Sequence, residues 1–350
     1  MSTTINPPEV APVEGSRRWD RIGYLAATWA ALYGVLALVW TATGDGYPFG
    51  PNDDQRMDTL LRLLPVDIGA PLFAAVLLTG AVVTLAMAGK QAVLLRGIPR
   101  AALLAYGWLV AAALLIVVPD MEILALAGYA PILIIGAPFG WPDVDYAQVF
   151  DWSLINKGLA VLGGVLIAVT VLGWQRRTAG SAALAAAAAR WVRWGRRATY
   201  VAAAIPVVYA LTRFAWVAGI ALGLSKETLR DLRDSDAVWA GAGLGAFAVV
   251  GAVLTLGLIQ RWGEVFPRWM VGLAGRPVPV LLAVVPATFV TIAVAAAGVS
   301  AVSSPKFLDL AGDLNAAALP LMLWPLWAVA LGTATFAYYL RRRGGFPGRS

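Results

Sequence analysis

Cysteine and histidine are both absent from the 350-residue sequence. Without cysteine the chain forms no disulfide bond and has no thiol nucleophile, and without either residue type it lacks the usual ligands of structural zinc. Histidine-ligated haem and the serine–histidine or cysteine–histidine pairs of many hydrolases are excluded for the same reason. Any catalysis has to use carboxylates, lysine, tyrosine, serine or threonine, and no pattern of these residues identifies a catalytic site, a metal site or a cofactor.

Charged residues are also scarce. They make up 13% of the chain, whereas a typical soluble protein has about 25%. Hydrophobic residues make up 60% of the chain, and the mean hydropathy is +0.73. A chain of this composition belongs in a lipid bilayer, which is its first expected partner.

Eight windows of the sequence are long enough to cross a membrane, since a transmembrane helix needs about 20 apolar residues. They are residues 22–42, 67–88, 101–119, 155–174, 198–222, 237–259, 277–299 and 319–340. A further apolar stretch, residues 121–136, is short and contains Pro131. We expect a re-entrant or interfacial helix there, with a ninth crossing as the alternative. The predicted fold class is an all-α integral membrane protein with eight transmembrane helices.

Positive charge is concentrated in alternate segments between these windows. The segments 1–21, 89–100, 175–197, 261–276 and 341–350 hold 19 of the 27 lysines and arginines but only 4 of the 20 acidic residues. By the positive-inside rule these segments face the cytoplasm, so both termini are predicted to lie inside the plasma (inner) membrane. The net charge of +7 is explained by topology and implies no nucleic-acid partner.

The second half of the sequence resembles the first. Aligning Arg21 with Arg197 pairs Tyr24 with Tyr200, Tyr33 with Tyr209 and Trp40 with Trp216, and GAVVTL at 80–85 recurs as GAVLTL at 251–256. The alternative is chance similarity between alanine- and valine-rich helices. An even number of spans in each copy predicts two parallel four-helix repeats with a cavity between them.

This repeat divides the chain into five parts. The predicted order is a disordered cytoplasmic tail (1–21), a first four-helix membrane repeat (22–175), a basic amphipathic linker (176–197), a second repeat (198–343) and a cytoplasmic tail (344–350). The linker places Trp191 and Trp194 among four arginines. It is expected to be helical and to lie at the inner leaflet.

Arg213 is the one charge in its window and takes the place that Ala37 has in the first copy. It lies in the outer half of the predicted span, and two interpretations remain open. Arg213 binds a small anionic ligand, or it pairs with an outer-end acid: Asp67, Asp120 or Asp236. These four residues form the candidate ligand-binding set, and Lys157 is interpreted as a charge at the membrane interface.

The leading functional hypothesis is a non-enzymatic, transporter-like protein that binds a small anion or a lipid in an outward-facing cavity. No acidic residue falls in the middle of a window, which argues against proton-driven transport. One alternative is an intramembrane enzyme for a lipid-linked substrate, with metal-binding aspartates at Asp54 and Asp58 or at Asp309 and Asp313. Another is a scaffold subunit that requires a membrane partner protein.

Two segments carry a resemblance to other proteins: QRWGEVFPRWMVGLAGRPVP at 260–279 and WPLWAVALGTATFAYYLRRR at 324–343. They resemble multi-pass membrane proteins of high-GC bacteria for which no activity is known. The resemblance implies a membrane location, and it assigns no catalytic or binding residue.

Overall fold

A computed structural model describes residues 14–52, 59–89, 95–140, 149–179, 181–304 and 319–343, and this part of the chain is helical without any strand. The helices are α1 (Glu14–Thr43), α2 (Val66–Ala88), α3 (Gly97–Ala112), α4 (Met121–Gly136), α5 (Trp152–Thr178), α6 (Ser181–Val217), α7 (Lys226–Asp234), α8 (Ala237–Gly257), α9 (Val280–Ser303), α10 (Leu319–Met322) and α11 (Trp324–Arg343). A π-helical turn, Ala113–Val117, continues α3. Short 3-10 turns are formed by Gly50–Asn52, Leu60–Leu63, Ala137–Phe139 and Arg261–Gly263.

Within the described residues, seven helices are long and apolar enough to cross a membrane. They are α1 from Asp20, α2, α3 with its π-helical turn, α5, α6 from Ala185, α8 and α9. They coincide with seven of the eight predicted windows. The prediction of an all-α, polytopic membrane protein is therefore confirmed.

The eighth window differs from the prediction. Residues 319–340 form α10 and α11, and α11 is not among the seven apolar spans. Its tryptophans, tyrosines and terminal arginines make it less apolar than the others. Pro325 lies at the second position of α11, where a residue without a backbone N–H is tolerated at the start of a helix but cannot continue a preceding one.

The segment 121–136 is helical and bends. Residues Met121–Ala130 and Leu133–Phe139 meet at an angle of 46°. The bend falls at Pro131, and proline interrupts helical hydrogen bonding. The pair brings the number of spans to eight if it is counted as one crossing, and otherwise it is re-entrant.

The predicted tail is more helical than expected, and the linker, which was expected to be helical, continues directly into the following span. Helix α1 begins at Glu14, so residues 14–21 of the predicted disordered tail are helical, and residues 1–13 lie outside the described residues. Helix α6 runs for 37 residues, so most of the basic linker and the following span form one continuous helix. The alanine-rich start of α6 favours this continuity because alanine has the highest helix propensity. The predicted tail 344–350 also lies outside the described residues.

The chain packs as two compact units, of which the first comprises Met1–Tyr47, Val66–Ala112 and Leu162–Ala179. In this unit α1 packs along α2, and Gly34 allows the close approach because a Cβ atom there would lie 2.9 Å from the Leu78 side chain. Tyr33 and Trp40 pack edge to face, with ring centroids 5.8 Å apart.

An ion pair links two other helices of this unit. Near the end of α5, Arg177 Nη1 lies 2.6 Å from Asp20 Oδ1. This ion pair joins α5 to α1.

The second unit comprises Pro48–Pro65, Ala113–Val161 and Gly180–Ser350. Helix α6 packs against α8 and α11, and α9 packs against α11 and α4. A cluster of buried side chains fills the space between these helices: Ala202, Leu258, Ala330, Leu331, Ala334 and Tyr338. Gly195 contacts Ala337 so closely that a Cβ atom would not fit, which allows α6 and α11 to approach as small residues do in membrane helix pairs.

The predicted topology can be tested by cysteine labelling, because the chain has no native cysteine. Ser235, before α8, and Ala274, between α8 and α9, are both exposed. We expect an impermeant maleimide to label Ser235→Cys, but not Ala274→Cys, in intact cells, with both labelled after permeabilisation. Labelling of Ala274→Cys but not Ser235→Cys in intact cells would show that the orientation is the opposite of the one predicted.

Candidate functional site

The second unit contains a cavity of about 440 Å³ at the end of α8. It lies between α8, the segment that connects α8 to α9, the start of α9 and the start of α11. Its aromatic wall consists of Trp262, Phe266, Trp269 and Trp327, and the remaining lining is largely aliphatic. Cavities of this size commonly hold small ligands in proteins.

The connecting segment, residues 258–279, is folded back on itself by backbone hydrogen bonds. Phe266 N donates to Arg276 O at 3.0 Å, Gly275 N to Phe266 O at 3.0 Å, and Val278 N to Glu264 O at 2.9 Å. Gly257 faces the Trp262 ring, and a Cβ atom at this glycine would lie 2.6 Å from the ring. The cavity wall is therefore held in place by the backbone of the connecting segment and by a glycine at the end of α8.

The end of α11 fixes this segment through its arginines. Arg341 Nη2 donates to Leu258 O at 2.6 Å and to Glu264 Oε1 at 3.1 Å. Arg342 donates to Glu264 O at 3.1 Å and to Val278 O at 2.8 Å. Because these guanidinium groups satisfy backbone carbonyls, their role is to position the cavity wall.

Three other arginines of the connecting segment remain exposed: Arg261, Arg268 and Arg276. None of them forms an ion pair with another residue that the structure describes. The cavity interior offers almost no polar group, since the hydroxyl of Thr255 already donates to Gly251 O at 2.8 Å. An apolar cavity whose wall segment carries exposed arginines suits a ligand with an apolar chain and an anionic head.

A buried cluster of charges lies elsewhere in the second unit. Lys157 Nζ is 2.6 Å from Asp120 Oδ2 and 2.8 Å from Glu122 Oε2. The side chains of Lys157 and Asp120 are 1% and 0% exposed, and that of Glu122 is 13% exposed. Asp120 also caps α4, because its Oδ1 accepts a hydrogen bond from Glu122 N at 2.9 Å.

The interpretation of Lys157 as an interface charge is therefore wrong. Lys157 lies in the second turn of α5 and reaches the first turn of α4, where its charge is neutralised by carboxylates. Asp120, one of the acids proposed as a partner for Arg213, pairs with Lys157. The signal in the sequence was an Asp-x-Glu pair at the start of one apolar helix and a single lysine near the start of the next.

Arg213 is half-buried and packs between aromatic rings. Its guanidinium carbon lies 4.7 Å from the Tyr209 ring centroid and 4.2 Å from that of Trp216. Gly241 and Gly245 on α8 leave room for the side chain, since Cβ atoms there would lie 3.5 Å and 3.3 Å from Arg213 carbons. Among the described residues Arg213 forms no ion pair, and its buried Nε makes no hydrogen bond.

The remaining predicted ligand residues are exposed. Asp236 precedes α8 with a left-handed backbone (φ 56°) and makes no side-chain capping bond. Asp67 lies in the first turn of α2, in the first unit. Asp54, Asp58, Asp309 and Asp313 lie outside the described residues. The described residues contain no group of three or more acidic side chains placed to hold a metal ion.

No family model, curated protein or solved structure matches the chain. The resemblance to membrane proteins of high-GC bacteria therefore stays a prediction.

Replacing Lys157 by Met should destabilise the protein by about 3 kcal/mol at neutral pH, because it removes a buried cation that forms ion pairs with Asp120 and Glu122. The matched control is Lys226→Met, at an exposed position on α7. Unfolding of the purified protein in mixed micelles measures the difference. Equal unfolding curves for the two variants would mean that the buried cluster contributes nothing to stability.

Proposed function

We propose that the protein binds an anionic lipid, or a lipid-like amphiphile, of the cytoplasmic leaflet in the cavity of the second unit. The observation that supports this most directly is that the segment lining the apolar cavity also carries three exposed arginines, Arg261, Arg268 and Arg276. The charge pattern of the sequence predicts that this end of the unit faces the cytoplasm, where anionic lipids attract basic segments.

The physical basis of such binding is different from that of an apolar pocket in water. An acyl chain that leaves the bilayer for the cavity exchanges one apolar environment for another, so the hydrophobic effect contributes little. Selectivity must then come from packing against the aromatic wall and from charge at the headgroup. Each basic residue near an anionic membrane surface contributes about 1 kcal/mol, which is enough to favour an anionic head over a zwitterionic one.

The proposed lipid site does not coincide with the outward-facing cavity near Arg213 that the sequence predicts. Arg213 contacts Gly241 and Gly245 near the start of α8, whereas Gly251 to Gly257 line the cavity near its end. At 1.5 Å per residue the two regions are about 15 Å apart along α8. The ligand site proposed here therefore lies within one unit, and an outward-facing cavity between repeats stays a prediction.

We also propose that the two halves of the chain are copies of one repeat, and two local similarities between them support this. With an offset of 176 residues, the buried alanines 26 and 27 of α1 correspond to the buried alanines 202 and 203 of α6, and buried Trp40 corresponds to buried Trp216. Thr84 donates to Gly80 O at 2.7 Å, and Thr255 donates to Gly251 O at 2.8 Å. The two copies of the repeated segments thus share burial and hydrogen bonding.

Filling the cavity should remove the lipid. Ala287 lines the cavity on α9, and we expect Ala287→Phe to reduce retained phosphatidylglycerol about tenfold, equivalent to ~1.4 kcal/mol. Native mass spectrometry of protein released from phosphatidylglycerol nanodiscs measures the bound lipid. The matched control is Ala246→Phe, at an exposed position of α8, which should retain lipid as the wild type does.

The charge component can be tested separately in nanodiscs of phosphatidylcholine with the same acyl chains. We expect Arg268→Gln combined with Arg276→Gln to abolish the preference for phosphatidylglycerol while leaving phosphatidylcholine binding unchanged. Wild-type retention of phosphatidylglycerol by Ala287→Phe would contradict the proposal.

Arg213 supports a second candidate function, the binding of a small anion at the other end of the unit. The specific observation is a guanidinium group that two aromatic rings hold in place and that no described carboxylate neutralises. Cation–π contacts of this kind contribute about 1 kcal/mol and leave the edge of the guanidinium group available for hydrogen bonds.

Sulfate should therefore raise the melting temperature of the wild-type protein more than that of Arg213→Gln. Arg213→Lys should respond weakly, because lysine lacks the planar group that stacks on the rings. Arg230→Gln, at an exposed position of α7, is the matched control and should respond as the wild type does. The same sulfate response in Arg213→Gln as in the wild type would assign Arg213 a purely structural role.

A further inference from the structure

The connecting segment between α8 and α9 exposes apolar side chains at its tip, which consists of residues 267–275. Trp269 is 78% exposed and Val271 is 97% exposed. Leu273, two residues further on, is 39% exposed. Single apolar residues on a surface need no explanation, but three at alternate positions of one short loop form a patch. Such patches mark surfaces that contact a partner or a membrane.

The tip has a folded backbone. Leu273 N and Ala274 N both donate to Met270 O, at 3.1 Å and 2.9 Å. Gly272 turns the chain between the apolar residues with a φ of 83°, which residues with a side chain rarely adopt. The backbone bonds between residues 264 and 278 hold the base of the tip. The apolar side chains are therefore presented to the exterior by an ordered turn.

The tip is folded towards the membrane-spanning helices. Trp269 lines the same cavity as Leu254, in the last turn of α8, and Val290 of α9. Val290 lies ten residues after the start of α9, which is about 15 Å along a helix. Both helices are long and apolar enough to cross a membrane. The tip therefore borders helical positions that we expect to lie within the bilayer.

The charge of the tip suits an anionic lipid surface. Arg268 and Arg276 are exposed, and residues 265–279 contain no acidic side chain. Glu264, which precedes them, is paired with Arg341. Tryptophan combined with arginine is typical of membrane interfaces, because the indole ring is stable at the level of the headgroups and the guanidinium group binds phosphate.

Helix α7, which connects α6 to α8, has the opposite arrangement. Its Leu229 is buried against Trp216 and Val238. Its six charged side chains, three of each sign, are all exposed. A short helix that buries its leucine and exposes charges of both signs is suited to water, whereas the tip exposes its apolar residues and carries one sign of charge.

We propose that the tip inserts into the headgroup region of the leaflet at this end of the second unit and anchors the connecting segment to anionic lipid. Trp269 and Val271 lie at the boundary between headgroups and acyl chains, and Arg268 and Arg276 contact phosphate groups. The inference concerns the surrounding bilayer, so it holds whether or not the cavity retains a lipid.

Electron paramagnetic resonance tests this insertion with a single nitroxide label, because the chain has no native cysteine. The label is attached to Val271→Cys in the full-length protein, in vesicles of phosphatidylcholine and phosphatidylglycerol. Oxygen concentrates in lipid and a neutral nickel chelate concentrates in water. We expect the ratio of oxygen to chelate collisions to be several times higher at Val271→Cys than at Arg230→Cys on α7. Val250→Cys, at a half-exposed position of α8, gives the ratio for a lipid-facing site.

Vesicles of phosphatidylcholine alone test the charge component. They should lower the ratio at Val271→Cys and leave the ratio at Val250→Cys unchanged, and equal ratios at Val271→Cys in the two kinds of vesicle would overturn the assignment to anionic lipid. A ratio at Val271→Cys as low as that at Arg230→Cys would place the tip in water and overturn the proposal. Shielding of Val271→Cys from both reagents would also overturn it, because protein, such as a second copy of the chain, would then cover the tip.

Discussion

A charged side chain inside a bilayer is stable only where the protein or the membrane interface neutralises it, and the described part of the chain follows this constraint. Lys157 lies between two carboxylates, and Arg341 is bonded to Glu264 and to a backbone carbonyl. Arg213 is covered by two aromatic rings. Arg261, Arg268 and Arg276, which form no ion pair with another described residue, lie on the exposed segment between α8 and α9. The positions of these charges thus identify the candidate sites.

The spans could be predicted from the sequence because the bilayer leaves an apolar chain few options. Backbone groups that cannot reach water must bond within the segment, so a long apolar run such as that of α2 or α8 forms a helix. Residues 319–340 were less predictable, since Trp324, Pro325 and the tyrosines near the end of α11 give the window an interfacial character. The bend in α4 falls at Pro131, but the sequence does not decide between crossing and re-entry.

The candidate sites depend on packing that hydropathy does not encode. Glu122 and Lys157 are separated by 35 positions in the sequence, and only the packing of the second unit brings the starts of α4 and α5 together. The cavity wall depends on the backbone bonds of residues 264–278, which form no hydropathy pattern. Arg213 was identified because it departs from the predicted repeat, but its aromatic neighbours, Tyr209 and Trp216, were interpreted only as part of that repeat.

We propose that the cavity of the second unit holds a lipid. An experimental density map of the protein in phosphatidylglycerol nanodiscs tests it most directly. We expect acyl-chain density between α8, α9 and α11 against Trp262 and Trp327, with the headgroup beside Arg268 or Arg276. A well-resolved map in which this cavity is empty, or is closed by the protein's own side chains, would contradict it.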